Sequence, residues 1–226
     1  MNADAPAAIE VPCPQCGEVQ AVTPVSVLRS HEKTVGLLFK GALNRFACEH
    51  CGATITVDVP LLYRDDRRRL IVYFVPPGAS GPVPEKQAEE QIEAVMQAVF
   101  GAAADERTRP ECRLALLKAE FIEKIALFRA HLDDRLVEFI KYQLYSRHPR
   151  ELDPTRVELL YDFSNAAKDR LGFIIFNRET ARAESGIHVP MDVYRELAAT
   201  FHNSADLQDE LRKLFPGHIV CAANLF

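Results

Sequence analysis

The chain has 226 residues, of which 48% are hydrophobic and 26% charged, with a formal net charge of −5. That balance suits a globular protein with a sizeable core and argues against binding nucleic acid through overall positive charge. No apolar run approaches the ~20 residues of a membrane-spanning helix. The opening Met1-Asn2-Ala3-Asp4-Ala5-Pro6 lacks the basic and apolar regions of a secretory signal, so a reducing cytoplasm is the expected location.

Val19–Val27 reads as a strand, and Val35–Lys40 as part of a short helix stopped near Gly41. Thr54–Val59 alternates β-branched with polar residues, and Leu70–Val75 is a more apolar strand. The charged segment Tyr63–Arg68 between them is predicted to be a hairpin turn. Residues 76–84 hold four prolines and two glycines, which deny backbone donors and favour turns, so they are the expected linker. Residues 1–75 carry 8 basic and 8 acidic side chains, whereas residues 76–226 carry 19 and 24, so the acidity lies beyond that segment.

After the linker, Ile92, Val95, Met96, Val99 and Phe100 keep helical spacing and predict a helix over Glu85–Ala103. Arg113–Leu117 is a short apolar run that could be strand or helix. Phe121, Ile125, Phe128 and Leu132 mark one helix; Leu136, Phe139, Ile140 and Leu144 mark the next, with Asp133 at its N-cap. Val157–Phe163 and Leu171–Phe176 read as a strand pair, Met191–Phe201 and Leu207–Phe215 as helices, and His218–Ala222 as a closing strand. The whole is α+β: a small β domain over 1–75 with a helical insertion and a β-hairpin, a linker over 76–84, and a second domain of helices and antiparallel strands over 85–226.

The chemistry rests on two thiol pairs, Cys13-Pro14-Gln15-Cys16-Gly17 and Cys48-Glu49-His50-Cys51-Gly52. Cys-x-x-Cys spacing offers two sulfurs to one tetrahedral ion, and two such pairs complete the four-thiolate shell of a structural zinc. A glycine after each second cysteine suits the tight knuckle. The 31 residues between Cys16 and Cys48 exceed the usual ribbon spacing of roughly 15–20, and an inserted helix accounts for the excess. Four thiolates leave no open position, so this zinc holds chain segments together and does no chemistry.

These motifs, with Val59-Pro60-Leu61-Leu62-Tyr63, Leu70–Pro76, Glu123-Lys124-Ile125 and Leu132–Lys141, resemble the bacterial CpXC family. The resemblance is strongest over residues 11–76 and 118–141, and it implies a zinc-ribbon-like domain and no reaction. Glu49 stands where the family has proline, which leaves thiol spacing intact and removes a rigid residue from that turn.

Other groups carry less. His50 lies inside a knuckle and reads as exposed; Cys221 reads as a small buried apolar residue. Arg64, Arg67, Arg68 and Arg69 could contact phosphates, but Asp65 and Asp66 sit among them and no aromatic residues alternate with them to stack bases. Asp133-Asp134-Arg135 fits a helix start, and Glu120 with Lys124 fits a helix-surface ion pair. No phosphate loop, nucleophile elbow or His-Glu-x-x-His occurs. The expected function is a non-catalytic zinc-binding module that engages a protein partner. A nucleic-acid regulator using Arg64–Arg69 is the alternative, and an enzyme centred near Asp133 is a further one.

Overall fold

The computed structural model describes residues 7–78, 81–100, 110–180 and 182–226, and among them lie six α-helices and eleven strands in a mixed α+β arrangement. Contacts divide the chain into two compact units, Met1–Lys118 and Ala119–Phe226.

In the first unit, β1 (Ile9–Pro12) and β2 (Val19–Val22) form an antiparallel hairpin, as do β4 (Arg45–Ala47) and β5 (Thr54–Thr56). Between the hairpins come β3 (Val27–Arg29) and α1 (Lys33–Phe39), the latter followed by Gly41 at φ +64°. The single strand expected over Val19–Val27 is thus two, separated around Pro24, which has no amide to donate to a ladder.

A four-stranded sheet follows, in the order β3, β6 (Leu61–Asp65), β7 (Leu70–Phe74), β8 (Glu111–Ala115). β6 and β7 form the hairpin, so Tyr63–Asp65 belong to a strand and the turn is narrowed to residues 66–69. Every residue of β7 is buried, which explains why Leu70-Ile71-Val72-Tyr73-Phe74 does not alternate: a strand covered on both faces needs apolar side chains on both. Each such side chain, fully buried, contributes roughly 1.5–3 kcal/mol.

β8 pairs parallel with β7, and parallel neighbours need a long crossover, which contains α2 (Glu85–Phe100) packed on β8. This pairing draws residues 85–118 into the first unit. By contacts the division falls at Lys118, beyond the Pro/Gly segment 76–84 at which the sequence placed a linker. Residues 79 and 80 of that segment, and residues 101–103 of the expected helix, lie outside the described residues.

The second unit holds α3 (Lys118–Arg129, from Ala119 onward), α4 (Asp134–Arg147), an antiparallel sheet, α5 (Met191–Asn203) and α6 (Ala205–Leu214). The sheet order is β11 (Arg182–Pro190), β10 (Arg170–Asn177), β9 (Val157–Tyr161). Leu136 and Phe139 of α4 share a core with Leu211 and Phe215, with Tyr194, Leu197 and Phe201 of α5 packed against it. Asp133 caps α4, accepting a 3.0 Å bond from the Arg135 amide. The strand expected over His218–Ala222 does not form: the Ala222 amide donates 2.9 Å to Glu138 Oε2, and a short 3₁₀ turn follows.

Six charged side chains on α3 and α4 are buried: Glu120, Glu123, Lys124, Asp134, Glu138 and Lys141. Lys141 Nζ donates to Glu123 at 2.7 and 2.8 Å and to Glu138 Oε1 at 2.9 Å. Lys124 Nζ reaches the same Glu138 oxygen at 2.9 Å and lies 3.5 Å from Asp134. Lys124 is 2% exposed, so the surface pair expected with Glu120 is replaced by buried bonds between helices. Glu123 also accepts the Tyr161 amide, and the Tyr145 hydroxyl accepts the Leu159 amide at 2.8 Å. Two free donors on the open edge of β9 are thereby satisfied by side chains, which an edge strand otherwise leaves unpaired.

Candidate metal centre

Each thiol pair is the turn of one of the two short hairpins, directly after Pro12 or Ala47. The first knuckle has Cys13 N–H donating to Glu18 O at 2.8 Å and Gly17 N–H donating to Cys13 O at 2.9 Å. The second repeats both bonds five and four residues apart, Cys48 to Ala53 O at 2.7 Å and Gly52 to Cys48 O at 2.9 Å. Gly17 and Gly52 take φ of +79° and +74°, a left-handed conformation that disfavours side chains, so the glycine after each pair is a backbone requirement.

The turn with Glu49 matches the turn with Pro14 in these bonds. A glutamate carries an amide that proline lacks, and that amide donates 2.9 Å to Gln20 Oε1, while Gln20 Nε2 donates 3.2 Å to Ala47 O. One carboxamide on β2 therefore ties the first hairpin to the second. A second tie comes from buried Asn44, at φ +55°, which accepts from Val25 N at 2.8 Å, donates to Val25 O at 2.9 Å, and accepts the Val57 amide through its own carbonyl. Sequence reasoning missed both residues. Asn44 had a weak signal, as asparagine tolerates left-handed backbone, but Gln20 had none.

These ties bring four sulfurs together. The Sγ atoms of Cys13, Cys16, Cys48 and Cys51 all lie within 4.8 Å of one another, with 3.6 Å between Cys13 and Cys51 and 3.7 Å between Cys16 and Cys48. A tetrahedral zinc with arms of about 2.3 Å needs sulfur separations of about 3.8 Å, so the donors fit such an ion in number, type and spacing. Cys13 and Cys48 are buried, within a small core that includes Val22, Ile55 and Val57, while Cys16 and Cys51 face outward.

The sulfurs also perturb one another. The Cys16 and Gln15 amides beside the Cys13 sulfur lower that thiol to about 6. Cys16 is pushed up to about 12: the Glu18 amide favours its thiolate, but desolvation and the three neighbouring sulfurs outweigh it. Cys51 is also raised: the Ala53 amide and the Cys16 sulfur favour its thiolate, but desolvation and the sulfurs of Cys13 and Cys48 outweigh them. Four thiolates this close repel, and a cation at their centre removes that repulsion.

The other singled-out residues lie apart from the sulfurs. His50 is exposed and outside the four-sulfur group. Arg64 donates to Asp66 at 2.9 and 3.3 Å, and Arg68 Nε lies 4.0 Å from Asp65, while Arg67, Arg68 and Arg69 are exposed on the β6–β7 turn. Asp133 is engaged by its cap and by Arg135 Nη2 at 2.9 Å, and Asp134 is fully buried near Lys124. Cys112 is buried, with its thiol 3.5 Å from Met96 Sδ, and half-buried Cys221 lies 3.5 Å from Glu120. No helix among the described residues is long and apolar enough to cross a membrane.

Compared with known proteins, the chain matches the family described as CpXC protein over residues 11–141, more than half its length and both knuckles. Among curated proteins and among solved structures, nothing matches it.

Proposed function

The chain belongs to the CpXC family, and from that premise we propose that it is a zinc-binding module whose single ion, held by Cys13, Cys16, Cys48 and Cys51, is structural and supports docking of a protein partner in a reducing cytoplasm. The observation that carries this is the convergence of four sulfurs from two separate hairpins within 4.8 Å. Zinc is favoured because an all-thiolate tetrahedral shell selects zinc or iron–sulfur chemistry, and a single centre with four protein sulfurs suits zinc without redox activity. Its role in the fold follows from size: β1, β2, β4 and β5 have only three or four residues each and share a small core. Hairpins so short need a staple, and zinc affinity in small metal-folded peptides reaches about 10–16 kcal/mol.

The test is elemental analysis of the purified chain, with X-ray absorption at the zinc edge. One zinc per chain with four sulfur neighbours supports the reading. Absence of metal, or an oxygen in the first shell, sinks it. Affinity purification from the native host, comparing the natural chain with the Cys13→Ser form, addresses the partner: the same protein must be retained by the first and lost by the second.

The exposure of Arg67, Arg68 and Arg69 keeps a second reading, nucleic-acid binding through the β6–β7 turn. It requires a mobility shift at low salt that disappears when all three are replaced by alanine. The internal bonds of Arg64 to Asp66 weigh against it, since a neutralised guanidinium releases few counterions.

A further inference from the structure

The four cysteines of the cluster are not equivalent. Cys16 and Cys51, the second of each pair, are exposed, whereas Cys13 and Cys48 are buried. Two sulfur contacts cross from one hairpin to the other, and each joins an exposed cysteine to a buried one. Cys51 Sγ lies 3.6 Å from Cys13 Sγ, and Cys16 Sγ lies 3.7 Å from Cys48 Sγ. A disulfide bond is ~2.05 Å long, so closing either gap asks for about 1.6 Å of movement shared between two side chains. The backbone of each knuckle is meanwhile fixed by its two amide–carbonyl bonds and its left-handed glycine.

We infer that this cluster is an oxidant-sensitive modification site: hydrogen peroxide, a two-electron oxidant of thiolates, converts it into two inter-hairpin disulfides, Cys13–Cys51 and Cys16–Cys48, and so releases the ion. The inference rests on the zinc reading above and assigns that site its regulation. Zinc has no redox chemistry of its own, so the electrons come from the sulfurs. Attack starts at an exposed cysteine, since oxidation follows thiolate character and exposure. The sulfur of Cys16 or Cys51 bonds to one peroxide oxygen, the O–O bond breaks, and the departing hydroxide takes a proton and leaves as water. The buried thiolate of the other hairpin then attacks the resulting sulfenic acid. An S–S bond forms, and the sulfenyl oxygen leaves as hydroxide, protonated to a second water. Each disulfide thus takes two electrons from two thiolates and reduces one peroxide to two waters. Two rounds consume all four ligands. The crossed pairing also holds the fold best. It links residues 38 and 32 positions apart, and in the chain-entropy account a long loop constrains the unfolded chain more than a Cys-x-x-Cys loop does. The short hairpins therefore stay joined without the metal. Reversible sensing disulfides of this kind are compatible with a reducing cytoplasm, where permanent ones are rare. Cys112 is buried, and burial pushes the Cys221 thiol well above its ordinary value, so both should stay reduced.

The experiment uses the natural full chain, its zinc first counted by elemental analysis and the chain then exposed to hydrogen peroxide. A chelating dye follows released zinc, and fragmentation of unreduced peptides in the mass spectrometer maps the disulfides. The expected product has lost its zinc and is four hydrogens lighter than the reduced, metal-free chain. Its knuckle peptides are joined through Cys13–Cys51 and Cys16–Cys48, and Cys112 and Cys221 are still thiols. A dithiol reductant with added zinc should restore the starting form. The inference is overturned if zinc stays bound while peroxide is consumed, or if the disulfides form within a knuckle or in the opposite crossing, Cys13–Cys48 and Cys16–Cys51. Sulfinic acids that the reductant does not reverse would overturn it as well. A chain without zinc before any oxidant is added would count against the metal reading instead. The mapping needs no metal and decides the disulfide pairing in either case.

Discussion

Glu158 shows at the level of one side chain how burial translates into pH dependence. It is 5% exposed and its carboxyl is pushed up to about 7, first by burial and then by the nearby Glu120, against the pull of Arg178 at 3.9 Å. The folded chain therefore retains a proton that the unfolded chain releases near pH 4.5. Stability from this group is fully present below that pH and is lost as pH rises through 7. Glu158→Gln should remove that loss, so urea unfolding at pH 5 and pH 8 should show the variant gaining about 2–3 kcal/mol on the natural chain at the higher pH. An equal difference at both values would refute the assignment. Lys141 makes the opposite point. Burial works against its charge, but Glu123 and Glu138 outweigh burial and hold its ammonium well above the usual range. Lys141→Met should cost about 3–5 kcal/mol, because two buried carboxylates lose their donor; a loss below ~1 kcal/mol would mean water replaces it. None of this was legible beforehand. The spacing of Glu120 and Lys124 says that they share a flank of a helix, and does not say whether that flank meets water.

Among the elements, those with a local cause were the legible ones. The Asp133 cap was expected from a carboxylate before an apolar helical repeat, and Asp133→Ala should lower stability by about 1 kcal/mol, measured by chemical denaturation. The knuckle turns were likewise written locally, in Cys-x-x-Cys-Gly. Gln20→Ala tests the tie between hairpins: its bonds lie at the surface, so a cost of at most about 1 kcal/mol is expected, together with faster exchange of the Glu49 amide. Unchanged exchange would remove Gln20 from that role. β11 went unread because Arg182-Ala183-Glu184-Ser185-Gly186 has little apolar content: an exposed edge strand buries too little to show a period of two. The expected closing strand at His218–Ala222 failed for a related reason. The β9 amides such a strand could have used at Leu159 and Tyr161 are held by Tyr145 and Glu123, and the Ala222 amide has its own acceptor in Glu138.

For the whole molecule, the question is what the four-cysteine cluster sustains when it holds the proposed ion. With a chelator stronger than four thiolates, the two hairpins should lose amide protection, above all at Cys13, Gly17, Cys48 and Gly52, whose bonds shape the knuckles. Amides of β9 and β10 belong to the other unit's ladder and should keep theirs. Hydrogen exchange with and without chelator decides this, and equal protection in both states would mean that the hairpins stand without the ion.

Taken alone, the amino-acid order determined the thiol set, the α+β class and most helices, since each depends on spacing within a few residues. Tertiary structure decided where the chain divides, because β8 joins β7 across residues distant in sequence. It also decided which charges go inside. Burial belongs to the surface an element meets, and that surface is supplied by another part of the chain.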